Sequence, residues 1–182
     1  MIMIVICYLV ERTNPERNLP GRKKQIKNEI KESIPAVFAS TSASLFHLNF
    51  VYPLRWGYLP PIFPQSFLAL FLELIYWMAC FEVFVYFLHR FLHMRKPFDV
   101  YRYIHRDHHL FFFPSAFASQ AIHPIEAILF AETSLIASVL LFPISVFIQY
   151  LCGILLLTWS IFAHDSRFFL DQGAHYEHHR YV

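Results

Sequence analysis

Residues 66–93 read SFLALFLELIYWMACFEVFVYFLHRFLH. Through residue 88 the only charged side chains are Glu73 and Glu82. A bilayer's hydrocarbon core takes about 20 apolar residues in a helix, so this stretch predicts a membrane-spanning helix. It ends on His89 and His93. Their i, i+4 spacing puts both imidazoles on one helix face, with Glu82 seven residues earlier on roughly the same face. One stretch thus predicts a membrane fold and places polar, metal-binding chemistry where the helix leaves the lipid.

Working outward, residues 33–53 (SIPAVFASTSASLFHLNFVYP) form a weaker candidate span, diluted by Ser, Thr and His47. Residues 125–163 are apolar but broken at Pro143, which removes a helix donor and restricts its predecessor. The break predicts a hairpin of 125–142 and 144–163. Its first arm carries Glu126 and Glu132 and is short enough to be re-entrant. Residues 1–10 (MIMIVICYLV) are too short to span and lack a signal peptide's charged start and cleavage site; they read as the end of a clipped span. The expectation is an all-α integral membrane bundle of about four membrane helices with one hairpin. Its parts are an apolar start and basic connector (1–32), two membrane helices (33–88) and a histidine-rich region (89–182) containing the hairpin 125–163.

Composition agrees. The 182 residues are 57% hydrophobic and 15% charged, with a mean hydropathy of +0.41, too apolar for a disordered chain or an ordinary soluble domain. Three cysteines without a CxxC pair exclude a disulfide scaffold and a thiolate zinc finger. A net charge of +2 gives no sign of a nucleic-acid partner. Basic residues gather in two places: Arg12 to Lys31, and Arg90 to Arg106. Residues 54–65 between the first two spans hold only Arg55. The positive-inside rule puts both basic segments in the cytosol, and the hairpin returns the chain to that side at His164. The second half of the first basic segment is charged at helical spacing and is expected to lie along the membrane surface.

Ten of the eleven histidines follow residue 88. HRFLH holds His89 and His93; HRDHH holds His105, His108 and His109; HYEHH holds His175, His178 and His179. On a helix, i, i+3 and i+4 converge. Imidazole suits iron, zinc, copper and nickel. Eight imidazoles exceed the four positions of one tetrahedral zinc, so the clusters predict two metals. His164, at the end of the last apolar run, is a further candidate ligand, with Asp165 as its hydrogen-bond partner. His123 fits two readings. It is either a ligand or an N-cap, because His123, Pro124 and Glu126 make good helix-start chemistry. His47 reads as structural.

These three boxes, in this order and with a short gap between the first two, resemble the fatty acid hydroxylase and sterol desaturase superfamily of membrane di-metal oxygenases. PSAFASQAIHPIE (114–126), WSIFAHD (159–165), GAHYEHH (173–179) and KQIKNEIK (24–31) resemble segments of sterol C-5 desaturases, also called lathosterol oxidases. The resemblance implies two iron ions, with zinc as a possible substitute, held by His89, His93, His105, His108, His109, His164, His175, His178 and His179. His123 would ligate or line the site, and Glu82, Asp107, Asp165 and Glu177 are candidate acceptors for imidazole N–H groups. It also implies activation of O2 and removal of hydrogens from unactivated C–H bonds, which acid–base groups cannot accomplish.

The implied substrate is a membrane lipid, specifically a Δ7 sterol desaturated at C-5 and C-6. Electrons would come from NAD(P)H indirectly, through a cytochrome b5-type donor. The implied location is the endoplasmic reticulum, with the boxes facing the cytosol. Arg95, Lys96, Arg102 and Arg106 would suit an acidic donor, although positive-inside charge explains them equally well. A sterol or fatty-acid hydroxylase is the alternative on the same site; an inactive relative or a metal transporter are less expected. Relatives continue beyond the third box through an Asn-Tyr-Gly element, so the chain is expected to be a catalytic core lacking its ends.

Overall fold

A computed structural model of the chain describes residues 2–111, 114–165 and 178. Among the described residues there are helices and turns but no strand. Ile2–Arg12 is α1. Arg22–Phe46, α2, passes through a widened π turn at His47–Val51 into Tyr52–Trp56, α3. Phe67–Leu92 is α4, Pro124–Leu135 is α5 and Val146–His164 is α6.

Three helical runs are long and apolar enough to cross a membrane: Arg22–Trp56, Phe67–Leu92 and Val146–His164. Their apolar side chains point outward. On α4, Phe67, Phe71, Ile75, Val83 and Phe87 are all exposed. Such a surface is unfavourable in water and suited to lipid. The inward stripe is narrower: Trp77 packs with Ala137, Ile144, Ile148 and Cys152.

The expected fourth membrane helix, 125–142, is corrected. Its α-helix, α5, is 12 residues long, followed by a four-residue 3-10 turn at Ile136–Val139. At 1.5 and 2.0 Å per residue this makes about 26 Å, and the segment is not among the candidate spans. It nevertheless runs from the histidine-bearing end to the opposite end, where the Trp56 indole donates to the Ser138 carbonyl at 2.7 Å and Arg55 donates to the carbonyls of Val139 and Leu140. It packs chiefly on α2, with α4 on another side. Because protein covers these faces, the segment carries Glu126 and Glu132 that a lipid-facing helix would not. Glu132 bonds His47 Nδ1 at 2.7 Å, and His47 Nε2 lies 3.2 Å from Ser138 Oγ.

The basic stretch after Arg22 is helical, as its charge spacing predicts, but it is the opening of α2 rather than a separate surface helix. The far end of the bundle is knitted by backbone. Val146 and Phe147 N–H groups donate to the carbonyls of Pro61 and Ile62 at 2.8 and 2.9 Å. Glu73 of α4 accepts the Ser145 N–H at 2.8 Å and its hydroxyl at 2.6 Å, satisfying the start of α6. Replacing this carboxylate strands both donors. Glu73→Leu is therefore expected to lower stability by about 1–3 kcal/mol, read as a lower unfolding midpoint in detergent; an unchanged midpoint would show that the cap carries no weight.

Candidate metal centre

Five histidines from four segments meet at one end of the bundle. His89 lies in the last turn of α4 and His93 caps it. His105 ends a π turn, Tyr101–His105, and His109 lies in the 3-10 turn that follows. His178 completes the group. Ligand nitrogens of His89, His93, His105 and His178 all lie within 4.8 Å of one another. His93 Nε2 is 3.2 Å from His89 Nε2, 3.1 Å from His178 Nε2 and 3.1 Å from His105 Nε2. His109 Nε2 is 3.1 Å from His105 Nε2. With metal–nitrogen bonds of about 2.1 Å, two ligands of one ion sit about 3.0 Å apart at a right angle and about 3.4 Å apart at the tetrahedral angle. The observed separations fall in this interval.

Tautomers sharpen the point. His105 Nδ1 lies 2.8 Å from Glu126 Oε1, and both residues are buried. Burial raises the Glu126 carboxyl and the His105 bond opposes that rise; with the carboxylate ionised, Nδ1 carries the proton and Nε2 presents a lone pair. His164 repeats the arrangement: its Nδ1 donates to the Ser160 carbonyl at 2.7 Å, leaving Nε2 as a lone pair 3.3 Å from His108 Nε2. Each such lone pair has to meet either an N–H of the facing ring or a cation. The donor set therefore fits a metal, with one group around His93 and a second beginning at His108 and His164. Burial depresses the neighbouring rings. His93 is lowered to about 3 and His109 to about 2, from an ordinary 6.5, so both are neutral and ligand-ready at physiological pH.

Other parts of the chain brace the centre. Tyr101 packs its ring on His93 and His109, each at 5.6 Å between centroids. Buried Arg22 grips Glu11 through two nitrogens at 2.8 and 2.9 Å. Buried Glu29 accepts the Ser115 N–H and hydroxyl, tying α2 to the segment after the second cluster. Asn14 donates to Asp165, next to His164.

The structure brings together most of the described histidines and separates others from the centre. His123 caps α5, its Nδ1 accepting the Ile125 N–H at 3.2 Å. It lines an open cavity of about 690 Å³ with Asp107, Lys24 and Lys31. The helix-start reading of His123 holds, and no ligand contact is made among the described residues. Glu82 is exposed on α4, and Asp107 is exposed 3.8 Å from Arg106. Among the described residues neither hydrogen-bonds an imidazole. Asp165 is buried beside the centre but accepts from Asn14; the His164 Nδ1 proton goes to Ser160 instead, one turn back along α6. His175, His179 and Glu177 lie outside the described residues. Glu126 was not singled out as an imidazole partner. Its place three residues after His123 reads as helix-start chemistry, and only the fold shows it turning to His105.

A family model described as fatty acid hydroxylase matches residues 74–182. The chain is 29% identical to lathosterol oxidase of Homo sapiens over 170 residues, covering 87% of this chain and 56% of that protein. It is 29% identical to lathosterol oxidase of Rattus norvegicus over 64% of this chain and 40% of that protein. It is 30% identical to a Delta(7)-sterol 5(6)-desaturase of Leptosphaeria maculans over 61% of this chain and 32% of that protein. The chain thus spans about half the length of the human relative it matches. No solved structure matches it.

Two outcomes follow from the geometry. Glu126→Leu frees the His105 ring to rotate and change tautomer. Metal affinity, measured by competition with a chromophoric chelator, is expected to fall about 10–100-fold, and less for Glu126→Gln. In metal-stripped protein, unfolded histidines take protons near pH 6.5, while folded His93 and His109 resist until about 3 and 2. Their contribution is complete above pH 6.5 and is lost as pH falls from there. The unfolding midpoint of stripped protein is expected to drop as pH falls from about 6.5 towards about 3, with metal raising it.

Proposed function

We propose that this chain, which belongs to the fatty acid hydroxylase family, is a membrane-embedded non-haem di-iron oxidoreductase acting on lipid, and specifically a Δ7-sterol 5(6)-desaturase. The observation that carries the metal reading is the convergence of Nε2 atoms at 3.1–3.3 Å, with His105 and His164 held through their opposite ring nitrogens. The names of the relatives carry the substrate: each of those described above is a lathosterol oxidase or a Delta(7)-sterol 5(6)-desaturase.

His89, His93, His105, His109 and His178 are the proposed ligands of one iron. His108 and His164, with His175 and His179, are proposed for the other. Iron supplies the O2-dependent oxidising chemistry that removes hydrogens from unactivated carbon. The protein's own part is to hold the described imidazoles crowded and aimed at one another. Glu126 and the Ser160 carbonyl fix tautomers, Tyr101 blocks ring rotation, and neutral nitrogen donors leave the ions strongly Lewis acidic. Forming one double bond removes two hydrogens; with two electrons and two protons from outside, O2 leaves as two waters. In this reading the electrons come through a cytochrome b5-type donor, and the centre faces the cytosol at the endoplasmic reticulum.

The test is expression of the full coding sequence in cells lacking sterol C-5 desaturase. Accumulation of 5,7-diene sterols is expected, and His93→Ala should abolish it. A hydroxylated lipid without the diene would move the assignment to a hydroxylase on the same site. Stable expression with no change in sterols would overturn the sterol assignment.

A further inference from the structure

The segment joining α4 to the second histidine cluster combines charge and apolar exposure in a way the metal centre does not require. Residues 90–106 carry Arg90, Arg95, Lys96, Arg102 and Arg106. Asp99 is their single acidic residue, and it accepts the Arg102 backbone N–H at 3.0 Å. Among these cations the fold leaves Phe98 76% and Tyr103 71% exposed, with Phe91 46% exposed just before them. Two of the arginines lie over aromatic rings, Arg95 on Tyr101 at 4.8 Å and Arg102 on Tyr103 at 5.8 Å.

The position of this segment is set by α4. Its 26 residues extend about 39 Å at 1.5 Å per residue, against about 30 Å of hydrocarbon. The excess puts one end of α4 in the headgroup layer. Val83, Phe87 and Phe91 repeat every four residues along its exposed face, so the lipid-facing stripe continues to the last turn. The next exposed apolar side chain is Phe98. Bare aromatic rings set among arginines are what an interfacial segment needs. Rings enter the boundary between headgroup and acyl chain, while guanidinium groups meet phosphate and carboxylate.

We propose that residues 90–106 form a docking surface for anionic phospholipid headgroups of the leaflet on the histidine side. Phe98 and Tyr103 insert, and Arg95 and Arg102 pair with lipid charge. The surface is coupled to the metal centre through one ring, because Tyr101 sits between Arg95 and the imidazoles of His93 and His109. An acidic electron donor would suit the charges but leaves Phe98 and Tyr103 bare, whereas a bilayer takes up both.

The test uses the full chain with Cys80→Ala, which leaves buried Cys7 and Cys152, and a Phe98→Cys label carrying an environment-sensitive dye. A Tyr103→Cys label serves as an independent second position. The protein is reconstituted in vesicles of phosphatidylcholine alone or with about 30% phosphatidylserine. Quenching by a headgroup-level nitroxide lipid is expected to rise at least about twofold with phosphatidylserine, to fall back at high salt, and to lose its lipid dependence in Arg95→Gln/Arg102→Gln. Dye that stays water-exposed in both lipids, or is quenched equally in both, overturns the proposal. Protection by an added acidic protein but not by phosphatidylserine also overturns it. None of these readouts depends on catalytic activity, so they stand apart from the sterol assignment.

Discussion

A lone pair on an imidazole nitrogen is an acceptor that cannot be turned into a donor without moving a proton. In this protein two such protons are pinned elsewhere, on His105 by Glu126 and on His164 by the Ser160 carbonyl. The Nε2 atoms of these two rings are thereby left as acceptors facing neighbouring imidazoles. That arrangement suits a cation, and the architecture at this end holds the rings in it. The proposed ligands come from the end of one membrane helix, a π turn, a 3-10 turn, the end of another membrane helix and His178. Each must be held independently, because none is a sequence neighbour of all the others.

The holding is divided between two ends of the bundle that use different means. Far from the histidines, the helices are tied by backbone and cap bonds: Val146 to Pro61, Phe147 to Ile62, and Ser145 to Glu73. Near them, the ties are buried polar side chains: Arg22 on Glu11, Glu29 on Ser115, and Asn14 on Asp165. Buried polar groups of this kind hold position only when hydrogen-bonded, and each of these is. Short α5 connects the two ends, carrying Glu126 to His105 and Glu132 to His47.

The membrane helices and the histidine spacings were legible because both depend on local periodicity. Twenty apolar residues in a row, or His at i and i+4, mean the same thing wherever they occur. What was not legible depends on partners far along the chain. Glu126 lies 21 residues from His105, and its sequence context suggested a capping role. The His164 Nδ1 bond to the Ser160 carbonyl was not legible either: a carbonyl one turn earlier points along the helix axis, and no side chain marks it in the sequence. The 125–142 arm looked like a span because its composition is apolar. Packing on α2 and α4 covers some of its faces, and on those faces the fold accommodates two carboxylates.

Glu126 joins these levels. Its Oε1 bonds His105, while its buried Oε2 has no hydrogen-bond partner among the described residues. A buried carboxylate with one oxygen unsatisfied is costly, and the neutral His105 ring returns only part of that cost. Positive charge at His105 Nε2 polarises the ring and strengthens the Nδ1–H bond to the carboxylate. Metal binding and the ionised state of Glu126 therefore favour one another. This gives a physical reason for an acid at this position of α5, where an ordinary cap would leave the side chain in solvent.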